Sequence, residues 1–161
     1  MLACSPGIPS SYYDTFAAGG TLHSVRDETY ALLANADAAV VTSGTATLET
    51  ALFGVPQVVC YKTPLPQLIS WLRKKLIHVR YISLVNLIAD ADVVPELVTD
   101  TFSTGNIARE LSLVLPGGEG RQRMLDGYAE VRKRLGNDDA SQNAAAEMYR
   151  LLTSDRRCRR G

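Results

Sequence analysis

Ser43-Gly44-Thr45 and, four residues on, Glu49 are the residues whose types and spacing point most directly to a specific chemistry. A glycine between two hydroxyl residues lets an anion approach the backbone closely, and the hydroxyls add donors. If a helix starts there, its first N–H groups have no intrahelical partner, and they face a bound phosphate together with the positive end of the helix dipole. A diphosphate is the natural guest. Glu49, one turn further along, sits where an acid is mildly favourable, and its carboxylate could accept hydrogen bonds from two vicinal hydroxyls, as on a ribose. The same residues fit a plainer use, in which Ser43 or Thr45 caps the helix and Glu49 is a solvated first-turn acid. Residue types alone leave both open.

Such a turn needs a strand before it and a helix after it, and the flanking residues supply both. Residues 37–42, Asp-Ala-Ala-Val-Val-Thr, are a continuous apolar run of the kind found in parallel strands buried on both faces. The spacing predicts a helix over 46–53, with Gly54 as its left-handed cap and Pro56 as its stop, and a strand over 57–61. Strand, short turn, helix, Gly-x-Pro and strand make a right-handed crossover. Upstream, residues 1–4 read as the end of a buried strand entering the loop Ser5-Pro6-Gly7-Ile8-Pro9. Residues 21–25 read as a short strand, and 26–35 as a helix with Tyr30, Leu33 and Ala34 at helical spacing. Repeated crossovers imply an α/β fold, a Rossmann-like parallel sheet flanked by helices. Downstream, Leu65, Leu68, Ile69, Leu72 and Leu76 mark one helix face, 81–84 reads as a brief strand, and 107–115, 121–135 and 140–152 as helices. The carboxyl-terminal region is therefore expected to be helical. One domain over residues 1–153 and a disordered basic tail over 154–161 are expected.

The 161 residues suffice for one domain with a substantial core, and 46% apolar and 21% charged residues with no formal net charge are ordinary for a globular protein. Nothing in the charge balance points to nucleic acid. Cys4, Cys60 and Cys158 are odd in number and far apart, which fits neither a disulfide framework nor a zinc site and suits a reducing cytoplasm. Cys60, in a core-like strand, reads as a buried small hydrophobe. No apolar run is long enough to span a bilayer and no signal peptide is evident, so any membrane contact is expected to be peripheral. His23 and His78, at element ends, read as structural. Asp90 and Asp92 read as solvated loop acids, and Asp138-Asp139 as a turn and helix cap. Trp71, Arg73, Lys74, Lys75, His78 and Arg80 combine an aromatic with cations around an amphipathic helix. That pattern suits anionic lipid or substrate phosphate, and equally a solvated basic face over a leucine stripe.

The stretch 36–56, Ala-Asp-Ala-Ala-Val-Val-Thr-Ser-Gly-Thr-Ala-Thr-Leu-Glu-Thr-Ala-Leu-Phe-Gly-Val-Pro, closely resembles the nucleotide-sugar motif of the lipid-A-disaccharide synthases. The resemblance continues through Val-Val-Cys-Tyr-Lys at 58–62, Trp-Leu-Arg-Lys-Lys-Leu at 71–76, Tyr-Ile-Ser-Leu-Val-Asn-Leu-Ile at 81–88 and Val-Pro-Glu-Leu at 94–97. It also includes the Ser5 to Pro9 loop and Ser-Gln-Asn-Ala-Ala-Ala-Glu at 141–147, and covers residues 2–152 in all.

The resemblance implies a two-domain fold, GT-B, whose carboxyl-terminal domain holds a UDP-sugar. It implies condensation of UDP-2,3-diacylglucosamine with 2,3-diacylglucosamine 1-phosphate, with inversion, giving a β-1,6-linked disaccharide and UDP in lipid A synthesis. It further implies no cofactor and a peripheral location on the cytoplasmic face of the inner membrane of a Gram-negative bacterium. Ser43, Gly44, Thr45 and Thr47 match the diphosphate region, Glu49 the ribose position and Asn86 a site-lining position. Ser24 to Arg26, at another strand-to-helix turn, could present backbone groups to the uracil by the same switch-point logic. Full-length members begin this domain with a strand ending in a Leu-Pro-Gly-Ser-Arg-like loop, a segment not found here, so the sheet is expected to lack its first strand. The acceptor domain with its expected base is also not found, so the chain is expected to be inactive by itself. The family's Leu-Pro-Asn-Leu reads Leu84-Val85-Asn86-Leu87, and its following glycine is Asp90. The alternatives are another UDP-N-acetylhexosamine enzyme of that fold, such as a muramyl-peptide glycosyltransferase or a UDP-sugar 2-epimerase, or a noncatalytic nucleotide-binding or interaction module.

Overall fold

A computed structural model describes residues 1–17, 19–42, 44–61, 80–98, 100–136 and 140–158. Along these residues run β1 (Leu2–Cys4), α1 (Ser10–Ala17), β2 (Ser24–Arg26), α2 (Thr29–Ala34), β3 (Ala39–Val41), α3 (Gly44–Leu52) and β4 (Gln57–Tyr61). They are followed by α4 (Leu84–Ala89), β5 (Glu96–Val98), α5 (Thr104–Val114), α6 (Arg121–Leu135) and α7 (Ala140–Cys158). All pairing is parallel: β1 with β2 in one sheet, and β3-β4-β5 in another. This is the Rossmann-like α/β architecture expected, with the β-branched run of β4 at its centre.

The core explains why β4 is central. Val58, Val59 and Cys60 form one buried cluster with Ala51 of α3, Val85 and Ala89 of α4, Val114 of α5, and Met124, Tyr128 and Val131 of α6, together with Val94 and Leu97. Each of the valine, leucine and methionine side chains contributes about 1.5–3 kcal/mol on leaving water. One face of β3 stays open. Val40 lies opposite Val58 in the register, yet Val58 is 0% exposed and Val40 46%. Burial pushes the Cys60 thiol up from its ordinary value, in keeping with a packing role for that residue.

Several local expectations change. The strand expected over 81–84 is not formed. The N–H groups of Ile82 and Ser83, which a strand would offer to a neighbour, donate instead to the Glu96 carboxylate at 2.9 Å each, and Ser83 caps α4 by accepting from the Asn86 N–H. The strand in this region is β5, whose three residues are too few to show a period. The helix expected over 26–35 starts later, at Thr29, because Asp27 adopts a left-handed φ of 56°. β2 covers Ser24–Arg26 rather than 21–25, and α1 forms from Ser-Ser-Tyr-Tyr-Asp-Thr-Phe-Ala, a stretch for which no element was expected. α7 runs to Cys158, into the segment expected to be a disordered tail. The helix expected over 65–76, with Trp71, Arg73, Lys74 and Lys75, lies outside the described residues, as does His78. No helix among the described residues is long and apolar enough to cross a membrane.

Candidate functional site

The strand-turn-helix runs from β3 into α3, which begins at Gly44, so the amino terminus of a nine-residue helix points out at the carboxyl edge of the sheet. Its far end is closed by a Schellman arrangement around Gly54 at φ 73°, with Gly54 N–H donating to Ala51 O at 3.0 Å and Val55 N–H to Thr50 O at 3.1 Å. Only a residue tolerant of that left-handed conformation lets the chain turn directly into β4.

α6 holds this unit from behind. The Tyr128 hydroxyl donates to Val55 O at 3.1 Å and accepts from Gln57 Nε2 at 3.2 Å, while Arg132 donates to Leu52 O. Gln57 Nε2 also donates to Thr47 O at 2.9 Å, tying the underside of α3 to the start of β4. At the other end, Arg121 donates to Asp37 O at 2.7 Å and Val114 O at 2.9 Å, fixing the approach to β3. α4 packs on α3 and α6. Close contact of α6 with the chain before β5 depends on Gly127, where a Cβ would come within 2.5 Å of Val93 Cγ1. Burial raises the Tyr128 phenol well above its ordinary range, so it stays a neutral donor to Val55.

Gly44, Thr45, Thr47 and Glu49 are brought together on the first turns of α3, but they are not equivalent. Thr45 is exposed and Gly44 half-buried. Thr47 is fully buried and donates its hydroxyl to Gly44 O at 2.6 Å, so within the described residues it shapes the turn. Glu49 is half-buried, and its carboxylate has no hydrogen-bond or ionic partner among the described residues. Ser43 lies outside the described residues.

Asn86 is 1% exposed, and its carboxamide is fully engaged. Nδ2 donates to Val94 O and Glu96 Oε1, and Oδ1 accepts from Val93 N and Val94 N, all at 2.9 Å. Its position is behind α3, as part of a network that joins α4 to β5. Asp90, where the resemblance leads one to expect glycine, takes the left-handed geometry at φ 48° that glycine would.

Ser24 and Arg26 belong to the other sheet. Both are exposed, and the Arg26 guanidinium donates to Ile8 O at 3.3 Å, pinning the 5–9 loop. An open hollow of about 430 Å³ lies at the carboxyl ends of β1 and β2, walled by Cys4, Pro6 and the residues just after Arg26: Asp27, Glu28, Thr29 and Tyr30. The strand-end position was legible from sequence, but these wall residues were not. The positive φ of Asp27 aims them, and no residue-type signal announces it. The Tyr30 ring stacks on Phe53, centroids 5.3 Å apart, joining α2 to the end of α3. Tyr61, closing β4, was also not singled out by sequence, although it neighbours Gly44 across the turn. Among the described residues, no group of three or more His, Cys, Asp or Glu could hold a metal ion.

Comparison with known proteins bears on the family to which this chain belongs. A family model for lipid-A-disaccharide synthetases matches residues 15–149, a span that includes β3, the turn and α3. A lipid-A-disaccharide synthase of Solibacter usitatus is 35% identical over 154 residues, covering 94% of this chain and 40% of that protein. The corresponding proteins of Myxococcus xanthus and Acidobacterium capsulatum are each 42% identical, over 120 and 112 residues, covering 74% and 69% of this chain. The chain spans 27–40% of the length of these three relatives. A parallel α/β unit with a glycine-led helix at its carboxyl edge, matched by that family over most of its length, places this chain in the lipid-A-disaccharide synthetase family.

Proposed function

We propose that this chain is the UDP-sugar-binding part of an inverting glycosyltransferase that joins UDP-2,3-diacylglucosamine to 2,3-diacylglucosamine 1-phosphate, releasing UDP, in lipid A biosynthesis. The observation that carries the reading is the amino terminus of α3 at the carboxyl edge of β3, with a Glu49 carboxylate one turn in that has no partner among the described residues, in a chain of this family.

On this reading, backbone N–H groups of the turn, with Ser43 and Thr45, cradle the diphosphate, and Glu49 accepts from the ribose hydroxyls. Thr47 and Asn86 act at one remove by fixing the turn and the body behind it. Ser24 to Arg26 lie beside the hollow that would take the uracil. Departure of UDP develops negative charge on the diphosphate, and dipoles already fixed by the fold stabilise that charge without reorganising. The acceptor hydroxyl also needs a general base, which would act from outside these 161 residues, so the chain alone is expected to bind but not turn over. Trp71, Arg73, Lys74 and Lys75 would meet the inner-membrane surface or substrate phosphates, placing the protein at the cytoplasmic face.

Calorimetric titration of the folded chain with UDP, UMP, ADP and pyrophosphate tests the proposal. UDP is expected to bind at least about tenfold more tightly than UMP or ADP. Glu49→Ala should weaken UDP by about tenfold or more while leaving pyrophosphate within about twofold. Equal losses for both ligands would remove the ribose role, and no UDP binding by a folded chain would refute the donor-site reading.

A further inference from the structure

Tyr61 is the last residue of β4 and stands two residues beyond the Val41–Val59 pairing, level with the turn from β3 into α3. In an open parallel sheet this carboxyl edge is where ligands meet backbone donors. The ring packs against the core cluster, which restricts its rotation. Its hydroxyl reaches the start of α3, since a Cβ built on Gly44 would lie 3.9 Å from the phenolic oxygen. Among the described residues that hydroxyl has no hydrogen-bond partner. A polar group that is held by packing, close to the first residue of a helix and without a partner among the described residues has an obvious use. It extends the row of N–H donors there by one O–H.

We propose that Tyr61 is a diphosphate-positioning residue, donating its phenolic hydrogen to a phosphate oxygen of the nucleotide held at the amino terminus of α3. This rests on the donor-site reading above. A hydrogen bond to an anionic oxygen is stronger than one between neutral partners, and a ring already fixed by the core loses little freedom in making it. The contact falls on the phosphates, so Tyr61 discriminates nucleoside diphosphate from nucleoside and leaves base and sugar recognition to other groups.

The test compares the chain with its Tyr61→Phe variant, titrating UDP by calorimetry and uridine by NMR shift perturbation, with thermal melts of both proteins. Phenylalanine keeps the ring and its packing, so melting is expected to stay unchanged. UDP affinity should fall by at least about tenfold while uridine affinity stays within about twofold. Unchanged UDP affinity in the variant, or equal losses for UDP and uridine, overturns the role of Tyr61 while leaving the donor site standing. A folded parent chain that binds no UDP overturns the donor-site reading itself, and the Tyr61 role with it.

Discussion

Replacing Asn86 with alanine separates a residue that holds the fold from one that touches ligand, because the two roles give opposite patterns. The side chain is 1% exposed and makes four hydrogen bonds of 2.9 Å, two donated and two accepted. Alanine leaves the N–H and C=O of Val94, itself 3% exposed, without partners, and removes one donor from Glu96. The Val93 N–H keeps its second acceptor, Ala91 O at 3.0 Å. A buried polar group left unpaired costs about 1–3 kcal/mol, so the Val94 groups, with the lost Glu96 contact, put the loss at roughly 3–4 kcal/mol. For a chain of this length that corresponds to about 6–16 °C in melting temperature. Urea and thermal unfolding measure the loss. UDP titration well below the variant's melting point should give an affinity within about twofold of the parent. Asn86→Asp should be at least as damaging, since a carboxylate cannot donate to Glu96 and sets acceptor against acceptor. A stability loss below about 1 kcal/mol together with a tenfold or greater loss of UDP affinity would refute the reasoning and return Asn86 to the ligand site.

Tyr128→Phe removes the donor to Val55 O and one partner of Gln57, and should cost about 1–3 kcal/mol near neutral pH by urea unfolding. The folded chain keeps the raised Tyr128 proton that the unfolded chain releases near its ordinary value of about 10. Stability from this group is therefore full below about pH 10 and lost as pH climbs above it, and the phenylalanine variant should show a shallower alkaline fall. Asp90→Gly relieves a left-handed aspartate at the end of α4, where Asp90 N–H reaches Leu87 O and Ala91 N–H reaches Asn86 O. It should stabilise by about 0.5–1 kcal/mol with an unchanged urea slope, since the left-handed penalty removed exceeds the glycine entropy added. A destabilised glycine variant would count against the strain.

Much of the fold was legible because parallel α/β crossovers write themselves locally. The apolar run before Ser43, the helical spacing after it, Gly54 and Pro56 placed β3, α3 and β4 to within about two residues. α6 was read with its observed limits. The errors fall where a distant partner decided the outcome. Ile82-Ser83 looks like strand until Glu96, over a dozen residues on, takes its N–H groups. α2 starts late because Asp27 turns left-handed, a conformation that residue type permits but does not announce.

By itself the sequence determined the chemistry on offer: a glycine between hydroxyls where a helix begins, an acid one turn on, and a pattern shared with one family. Those properties reside in neighbouring residues, and local geometry is enough to express them. Only the tertiary structure decided which of the candidate groups remain free. Thr47 and Asn86 carry the same donors and acceptors in sequence as in space, but burial without water forces them to pair with the nearest backbone groups. Glu49 and Tyr61 stand at the open carboxyl edge, half-buried and unpartnered among the described residues. Sequence spacing cannot report that difference, because it depends on what packs against a side chain from elements tens of residues away.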